Sequence, residues 1–542
     1  MNFIEQILEQ LHKNSDQPMV TEMMGAQPKP STGRDILSLV RRGQHHLQSL
    51  GITPGERVVL IAPNSVRWVA ADLAILAAGA IVVPMYARQD GSELVEMMHD
   101  CSPSRILVSN GVISEKIKEH WSDAPITLLE ALFADETEET SGPHSRAPDS
   151  DVTIIYTSGS TGSPKGVVTT VENTNYMLET TKTALSGLLQ HSAHKESVFH
   201  YLPFCFAGSR IMLWTQLIRG LGIVISTDLD RLIDEMKGAQ PTYFLNVPML
   251  LERIKNGVEA KIRQKPAPIQ WLYDSGKAAF MRLETGQGQR GDSVRYRLAR
   301  RIVFQKIRSQ IGPKLECLIC GSAPLGEETQ RWFQMLRLPV YQIYGLTETT
   351  AIVSIDRPDL VEPGRVGPMI PGIETKLGTG NELLVRGPNI FSRYWNRPEA
   401  TEAAFEEGWF KTGDCVEINE HGNLRIIGRA KNLLIPTSGH NVAPEPIEQQ
   451  IVESIEGVEQ AVLIGHGKAF ITAIITGEVT SEQLQTGVDA VNASIPHYRR
   501  IRKFHHASES FTTENGLLTA NQKIRRSQIE SEYAKQIEAM YQ

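Results

Sequence analysis

Tyr156-Thr-Ser-Gly-Ser-Thr-Gly-Ser-Pro-Lys-Gly-Val-Val168 follows an apolar segment, Val152-Thr-Ile-Ile155, that reads as a buried strand. Within the run, Gly159, Gly162 and Gly166 let the backbone bend tightly and approach a ligand closely. Thr157, Ser158, Ser160 and Thr161 supply hydroxyl donors, and Lys165 supplies a positive charge. A strand that feeds a loop rich in glycine, hydroxyl and lysine suits the holding of phosphates. The spacing is not that of a Walker A loop. By composition alone the run would equally suit a flexible surface loop.

Outward from this run, strand-like and helical segments alternate through the first two thirds of the chain. Arg57-Val-Val-Leu-Ile-Ala62 precedes a helical stretch near Trp68 to Ala78 and then Ala80-Ile-Val-Val-Pro84. Gly222-Ile-Val-Ile225 and Tyr243-Phe-Leu-Asn246 follow later. The alternation predicts α/β layers. Residues 134–150 and 284–296 read as polar loops. The second holds Gly286-Gln-Gly-Gln-Arg-Gly291, which follows no apolar strand and so is no dinucleotide fingerprint. A boundary is expected at Ile427-Gly-Arg-Ala-Lys-Asn432, followed by a helix, two strands and a helix. The expected architecture is an α/β fold: a large multilayered domain over 1–429 and a small, mobile α+β domain over 430–542.

The 542 residues are too many for one core. A net charge of -7 argues against a general nucleic-acid binder. Five cysteines (Cys101, Cys205, Cys317, Cys320 and Cys415), few and odd in number, fit a reducing compartment. Cys317-x-x-Cys320 lies in an apolar run and reads as strand packing rather than a metal site. The first residues predict an amphipathic helix with Phe3, Ile4, Ile7, Leu8 and Leu11 on its apolar face, and not a signal peptide. The longest apolar stretch, Leu73 to Met85, is too short to span a bilayer. The expectation is a cytoplasmic protein, with peripheral membrane contact left open.

Further motifs follow in order: Cys320-Gly-Ser-Ala-Pro-Leu325, Tyr344-Gly-Leu-Thr-Glu348, Gly408-Trp-Phe-Lys-Thr-Gly-Asp414, Gly428-Arg-Ala-Lys431, Ser438-Gly-His-Asn-Val-Ala-Pro444 and Leu518-Thr-Ala-Asn-Gln-Lys-Ile-Arg-Arg526. Together with the 156–168 run they resemble the acyl-adenylate-forming superfamily of acyl-CoA synthetases, aryl-CoA ligases, luciferases and peptide-synthetase adenylation domains. The resemblance covers nearly the whole chain and is most specific from 152 to 526. It implies a two-step, AMP-forming ligase. The loop Thr157–Gly162 with Lys165 would hold phosphates. Gly321, Ser322, Ala323 and Pro324 would lie along adenine, Tyr344 would stack on it, and Gly345 would follow. Thr347 would bond phosphate and Glu348 would ligate Mg2+, a hard cation that commonly takes one or two carboxylates beside substrate phosphates. Asp414 would hold the ribose hydroxyls and Arg429 ribose or phosphate. Lys431 would be the hinge, Gly439 would line the thiol channel, and Lys523 would reach the carboxylate and α-phosphate. ATP, Mg2+ and coenzyme A, or a carrier-protein phosphopantetheine in its place, are the implied cofactors.

Within the superfamily the chain resembles long-chain fatty acyl-CoA synthetases in Leu202–Arg210, Asn246–Glu252 and Leu298–Leu325. Gly345 stands where short-chain members carry tryptophan, so a medium or long acyl tail is implied and Gly345→Trp is expected to shorten it. The acyl pocket would include Phe206, which departs from a common histidine. Asn381 and Arg393 stand where glycines are common, and Asn432 where an acid is common. Two other readings stand beside this one. A carrier protein could be the acceptor, met by the four basic side chains of Tyr498-Arg-Arg-Ile-Arg-Lys-Phe504, which read first as a solvated strand face. A non-catalytic acyl or nucleotide sensor is disfavoured by the presence of Lys523 and Glu348.

Overall fold

The computed structural model describes residues 2–137, 142–157, 164–190, 194–438, 440, 442–519 and 523–542. The chain divides into two compact units. The first holds Met1–Glu374 and Arg386–Gly408, and the second Thr375–Val385 and Trp409–Gln542.

The first unit is built on two sheets. One has the spatial order Arg393–Tyr394, Lys165–Thr170, Asp151–Thr157, Ile81–Met85, Arg57–Ile61, Arg105–Val108 and Ile126–Leu128. Its last five strands run parallel, and Asp151–Thr157 turns back antiparallel onto Lys165–Thr170. The other sheet has eight strands, among them Val340–Tyr344, Leu318–Cys320, Tyr243–Asn246, Val198–His200, Ile223–Ser226 and Pro18–Met24 in parallel succession. Strands covered on both faces are apolar throughout, as in Val58–Ile61 and Ile81–Met85, rather than alternating.

Helices Val66–Ala77 and Ala207–Ile218 explain how the sheets combine. The first is buried at every residue named from Val66 to Ala77 except Arg67, and the second from Ser209 to Ile218. One core cluster joins them to Val58, Leu60 and Val82 of one sheet and to Ile223, Ile225 and Leu245 of the other. The helices are therefore the filling between two sheets, which is why they lack a polar face. Helix Phe3–Lys13 closes the same core with Phe3, Ile4, Ile7 and Leu11, as its pattern predicts.

In the second unit, Val458–Ile464, Ile471–Gly477 and Ile501–His506 form a three-stranded sheet against helices Glu445–Ser454 and Ser481–Ser494. The third strand, parallel to the second, adds to the expected helix–strand–strand–helix pattern. The antiparallel ribbon Trp409–Ile418/Leu424–Arg429 belongs to this unit, on the far side of the boundary expected from sequence. The ribbon packs on the C-terminal part: a Cβ on Gly428 would lie 2.6 Å from a carboxylate oxygen of Glu445. Residues 284–296 are only partly a loop, because Asp292 starts a helix to Ala299. No described helix is long and apolar enough to cross a membrane.

Candidate functional site

In parallel α/β sheets ligands sit beyond the carboxyl ends of the strands. There the register Cys320↔Gln342 sets the turn Gly321–Pro324 beside Ile343 and Tyr344. Gly321 donates its N–H to the Asn246 carbonyl at 3.1 Å, and a Cβ on it would sit 2.6 Å from Ile343 Cγ1. Ser322 holds a left-handed φ of 73°, and Ser322, Ala323 and Pro324 are exposed. This leaves a narrow, accessible backbone ledge beside the half-buried Tyr344.

After Tyr344 the chain makes a tight turn through the 3-10 segment Thr347–Thr349, with Thr350 and Ala351 both at positive φ. Asn389 pins it: its amide donates to the carbonyls of Thr349 at 3.1 Å and Ile352 at 2.9 Å, while the Thr350 hydroxyl donates to the Asn389 carbonyl at 2.7 Å. Phe391 N–H donates to the Glu348 carbonyl at 2.8 Å. The same segment continues into Arg393–Tyr394, which pairs with Lys165–Thr170 of the other sheet. Residues 389–394 thus tie the Tyr344–Glu348 motif to the strand that follows the phosphate-type run. Tyr394 is the meeting point. Its hydroxyl donates to Glu348 Oε1 at 2.9 Å, and Lys165 Nζ lies 5.1 Å from its ring centroid. Glu348 presents a half-buried carboxylate whose other oxygen suits a hard cation. Among the described residues no group of three or more His, Cys, Asp or Glu could hold a metal alone, so phosphate oxygens would complete the shell.

Beneath the site, Arg210 and Asp72 form an ion pair that is 1% and 0% exposed. Trp214 Nε1 donates to Asp72 at 2.9 Å, and Arg210 donates to Thr153 Oγ1 at 2.6 Å. Thr153 belongs to the strand that leads into the phosphate-type run, so this network fixes that strand against the two central helices.

The structure adds detail at several of the expected positions. A Cβ on Gly345 would lie 1.9 Å from the Ala351 carbonyl oxygen and 2.8 Å from Ile352 Cα, so any side chain there would have to displace the turn that folds back beside it. Arg393 pairs with Asp151 at 2.6 Å and is held away from Tyr394's hydroxyl side by strand alternation. Phe206 precedes helix Ala207–Ile218, with its ring 6.0 Å from that of Tyr86. Asn381 has φ 63°, a left-handed position that glycine adopts freely and asparagine tolerates. All five cysteines are buried and unbridged, and burial pushes the Cys317 thiol up to about 12, which fits packing rather than thiolate chemistry.

In the second unit the ribbon register Asp414↔Arg429 brings those two candidates together, with Arg429 Nε 2.8 Å from Asp414 Oδ1. Thr412 Oγ1 accepts from the Asp414 N–H at 3.1 Å, and Gly413 takes φ 72° with its N–H on Glu382. Lys431 lies in the 3-10 turn Ala430–Asn432, where Asn432 donates to Glu445 at 2.7 Å. Lys523 is exposed, on a loop closed by the Leu518/Ile524 bridge and by the Thr519 N–H to Lys523 carbonyl bond at 2.8 Å. Arg526 anchors that loop on the buried Glu448 at 2.8 Å. In the basic run, Arg502 and Lys503 lie exposed on the edge strand Ile501–His506. Ser158, Gly159, Ser160, Thr161, Gly162 and Gly439 lie outside the described residues. Thr157, the last described residue before that gap, pairs with Lys165.

The sequence reading names Lys165, Tyr344, Thr347 and Glu348 but misses Tyr394 and Asn389, which gather them. Tyr394 stands in Phe391-Ser-Arg-Tyr-Trp395, and its role depends on a strand pairing with residues far away in sequence.

Long-chain-fatty-acid–CoA ligase FadD15 of Mycobacterium bovis is 27% identical, over 94% of this chain and 92% of its own. O-succinylbenzoate coenzyme A synthetase of Bacillus subtilis, solved with AMP, superposes with a TM-score of 0.76 at 18% identity, over 97% and 98% of the two chains. ATP-bound MatB of Rhodopseudomonas palustris gives 0.75 at 22% identity, over 98% and 99%. Residues 8–395 match the AMP-binding enzyme family and residues 431–542 the AMP-binding enzyme C-terminal domain. With its motifs in order and its two-unit architecture, the chain belongs to the AMP-binding enzyme family.

Proposed function

We propose that the protein activates a medium- or long-chain fatty acid with ATP and transfers the acyl group to the thiol of coenzyme A. In the first step a carboxylate oxygen attacks the α-phosphorus, forming acyl-AMP and releasing pyrophosphate. In the second the thiol sulfur attacks the acyl carbonyl, its proton is lost, and AMP leaves. The observation that carries the reading is the convergence of Glu348 and Lys165 on Tyr394, beside the Gly321–Pro324 ledge at the carboxyl ends of parallel strands. The 27% identity to a long-chain-fatty-acid–CoA ligase supports the acyl class and the acceptor.

In this reading the Gly321–Pro324 ledge and Tyr344 receive adenine. Asp414 receives the ribose hydroxyls, its two oxygens suiting two adjacent donors, with Arg429 beside it. Thr347 and Lys165 bond phosphate oxygens, and Lys523 faces the developing charge at the α-phosphate. A Mg2+ ion on Glu348 would neutralise charge on the phosphates. Lys431 is the pivot that lets one small unit serve both steps, and Gly439 borders the thiol's path. Exclusion of water matters because acyl-AMP hydrolyses readily.

The test is release of pyrophosphate and AMP across a series of acids from acetate to palmitate, with CoA or with a phosphopantetheinyl carrier protein as acceptor. Strong CoA-dependent AMP release with the longer acids is expected. Transfer to the carrier alone would change the acceptor, and no pyrophosphate with any acid would leave only a nucleotide-binding role.

A further inference from the structure

The helices between strands Tyr243–Asn246 and Leu318–Cys320 form a surface the adenylating site does not use. Helix Ala267–Glu284 packs on a second helical stretch, Asp292–Ala299, which continues through a π-helical turn, Arg300–Phe304, into Gln305–Ile311. Their inner faces are close: a Cβ on Gly276 would lie 2.2 Å from that of Ala299, and the rings of Tyr273 and Phe304 are 5.8 Å apart. The outer face of the second stretch is unusual. Val294, Leu298 and Ile302, spaced i, i+4 and i+8, are 66%, 48% and 38% exposed. A helix face turned to water alone would be polar there.

The charge around this stripe is one-sided. From 285 to 315 the sequence has eight Lys/Arg and one acid, Asp292, within a chain of net charge -7. Asp292 is buried against Arg282 at 2.7 Å, so it does not offset the outward charge. Arg290, Arg297, Arg301 and Lys306 are exposed and make no ion pair with any described acid. Arginines alone would hold a phosphodiester backbone, but exposed aliphatic side chains gain little against it. The two together suit an anionic bilayer. The apolar groups enter the acyl boundary, and the guanidinium groups extend to headgroup phosphates.

We infer that the face carrying Val294, Leu298 and Ile302, with Arg297 and Arg301, docks on an anionic phospholipid surface. The inference uses none of the residues placed in the adenylating site.

The test is co-sedimentation of the full chain with phosphatidylcholine vesicles, with or without phosphatidylglycerol. Uptake is expected only with phosphatidylglycerol, and it should fall as salt screens the charges. Each basic side chain near such a surface is worth roughly five-fold in binding, so Arg297→Gln with Arg301→Gln should weaken uptake about thirty-fold. Leu298→Ser with Ile302→Ser should also weaken it, whereas Lys29→Gln with Lys195→Gln, exposed elsewhere, should not. All three double variants should keep wild-type turnover on detergent-dispersed acid. Equal uptake on both vesicle types would overturn the proposal. So would equal losses from the remote control pair, or binding of RNA or an acidic protein to this face without vesicle uptake.

Discussion

The Tyr394 hydroxyl donates to Glu348 Oε1 at 2.9 Å while its ring lies 5.1 Å from the Lys165 ammonium. One side chain thus positions a candidate metal ligand and a candidate phosphate ligand that are 183 residues apart in sequence. It does so from a two-residue strand, Arg393–Tyr394, held by the other sheet. The ring attracts the cation through its π face, and the hydroxyl orients the carboxylate.

Tyr394→Phe keeps the ring under Lys165 and removes the bond to Glu348. A hydrogen bond to a charged group contributes about 1.5 kcal/mol. The variant should therefore lose roughly ten-fold in the first half-reaction and need more Mg2+ for half-maximal rate, with its Tm nearly unchanged. Pyrophosphate release titrated against Mg2+ reads both. A wild-type Mg2+ requirement would mean that Tyr394 does not orient the metal ligand.

Lys523 and Arg526 are three residues apart but should fail differently. Lys523 is exposed, where losing one charge costs little stability, so Lys523→Ala should keep its Tm and its ATP affinity. It should lose acyl-AMP formation by about 3 kcal/mol or more, the scale of a donor aimed at transition-state charge. Arg526→Gln leaves the buried Glu448 with the Leu463 N–H but without its opposite charge. That should cost about 3 kcal/mol of stability in the second unit. Thermal melts and pyrophosphate release on both variants separate the two roles, and normal release by Lys523→Ala would refute its assignment.

Much of this arrangement is legible in the sequence, because the signals are local. Buried strands show as apolar runs, as at Arg57–Ile61 and Tyr243–Asn246, and the candidate site turns show as dense glycine and hydroxyl motifs. What stays hidden depends on contacts between distant residues. Tyr394 matters only because its strand pairs with Lys165–Thr170. Asp292 looks like part of a polar loop, yet it is a buried anchor for Arg282. The third strand of the small sheet, Ile501–His506, falls in the basic run that reads as a solvated strand face, but its place in the sheet is not legible. It is an edge strand, and solvated side chains such as Arg502 and Lys503 are what an edge carries.

Gly345 is the sharpest case, since its glycine is legible but the direction of its missing side chain is not. That direction is set by the turn at Thr350 and Ala351, which brings the Ala351 carbonyl to 1.9 Å from the Cβ position. Gly345→Ala should therefore lower the Tm and depress both half-reactions together, and Gly345→Trp should be worse, without selective loss of long acids. Melting curves and the rate ratio of palmitate to propionate check this. A Gly345→Trp protein with wild-type Tm and a shortened chain preference would support the reading from sequence.

His200 offers a pH test of the core beneath the site. It ends strand Val198–His200, is fully buried, and stacks on Phe204 at 5.1 Å with ring planes 2° apart. Burial disfavours the imidazolium and lowers the pKa from the ordinary 6.5 to about 4. Because the folded pKa lies below the unfolded one, the unfolded chain takes up the proton first as pH falls. The neutral ring's contribution is therefore fully present above about pH 6.5 and is lost as pH falls to about 4, roughly 3 kcal/mol in all. His200→Phe keeps an aromatic ring and has no proton to bind. The stability difference between wild type and variant should thus shift in the variant's favour between pH 6.5 and 4, by an amount that carboxylates common to both do not affect. Urea melts of both proteins at several pH values measure it, and a difference that stays constant across this window would mean that His200 is not held neutral by its burial.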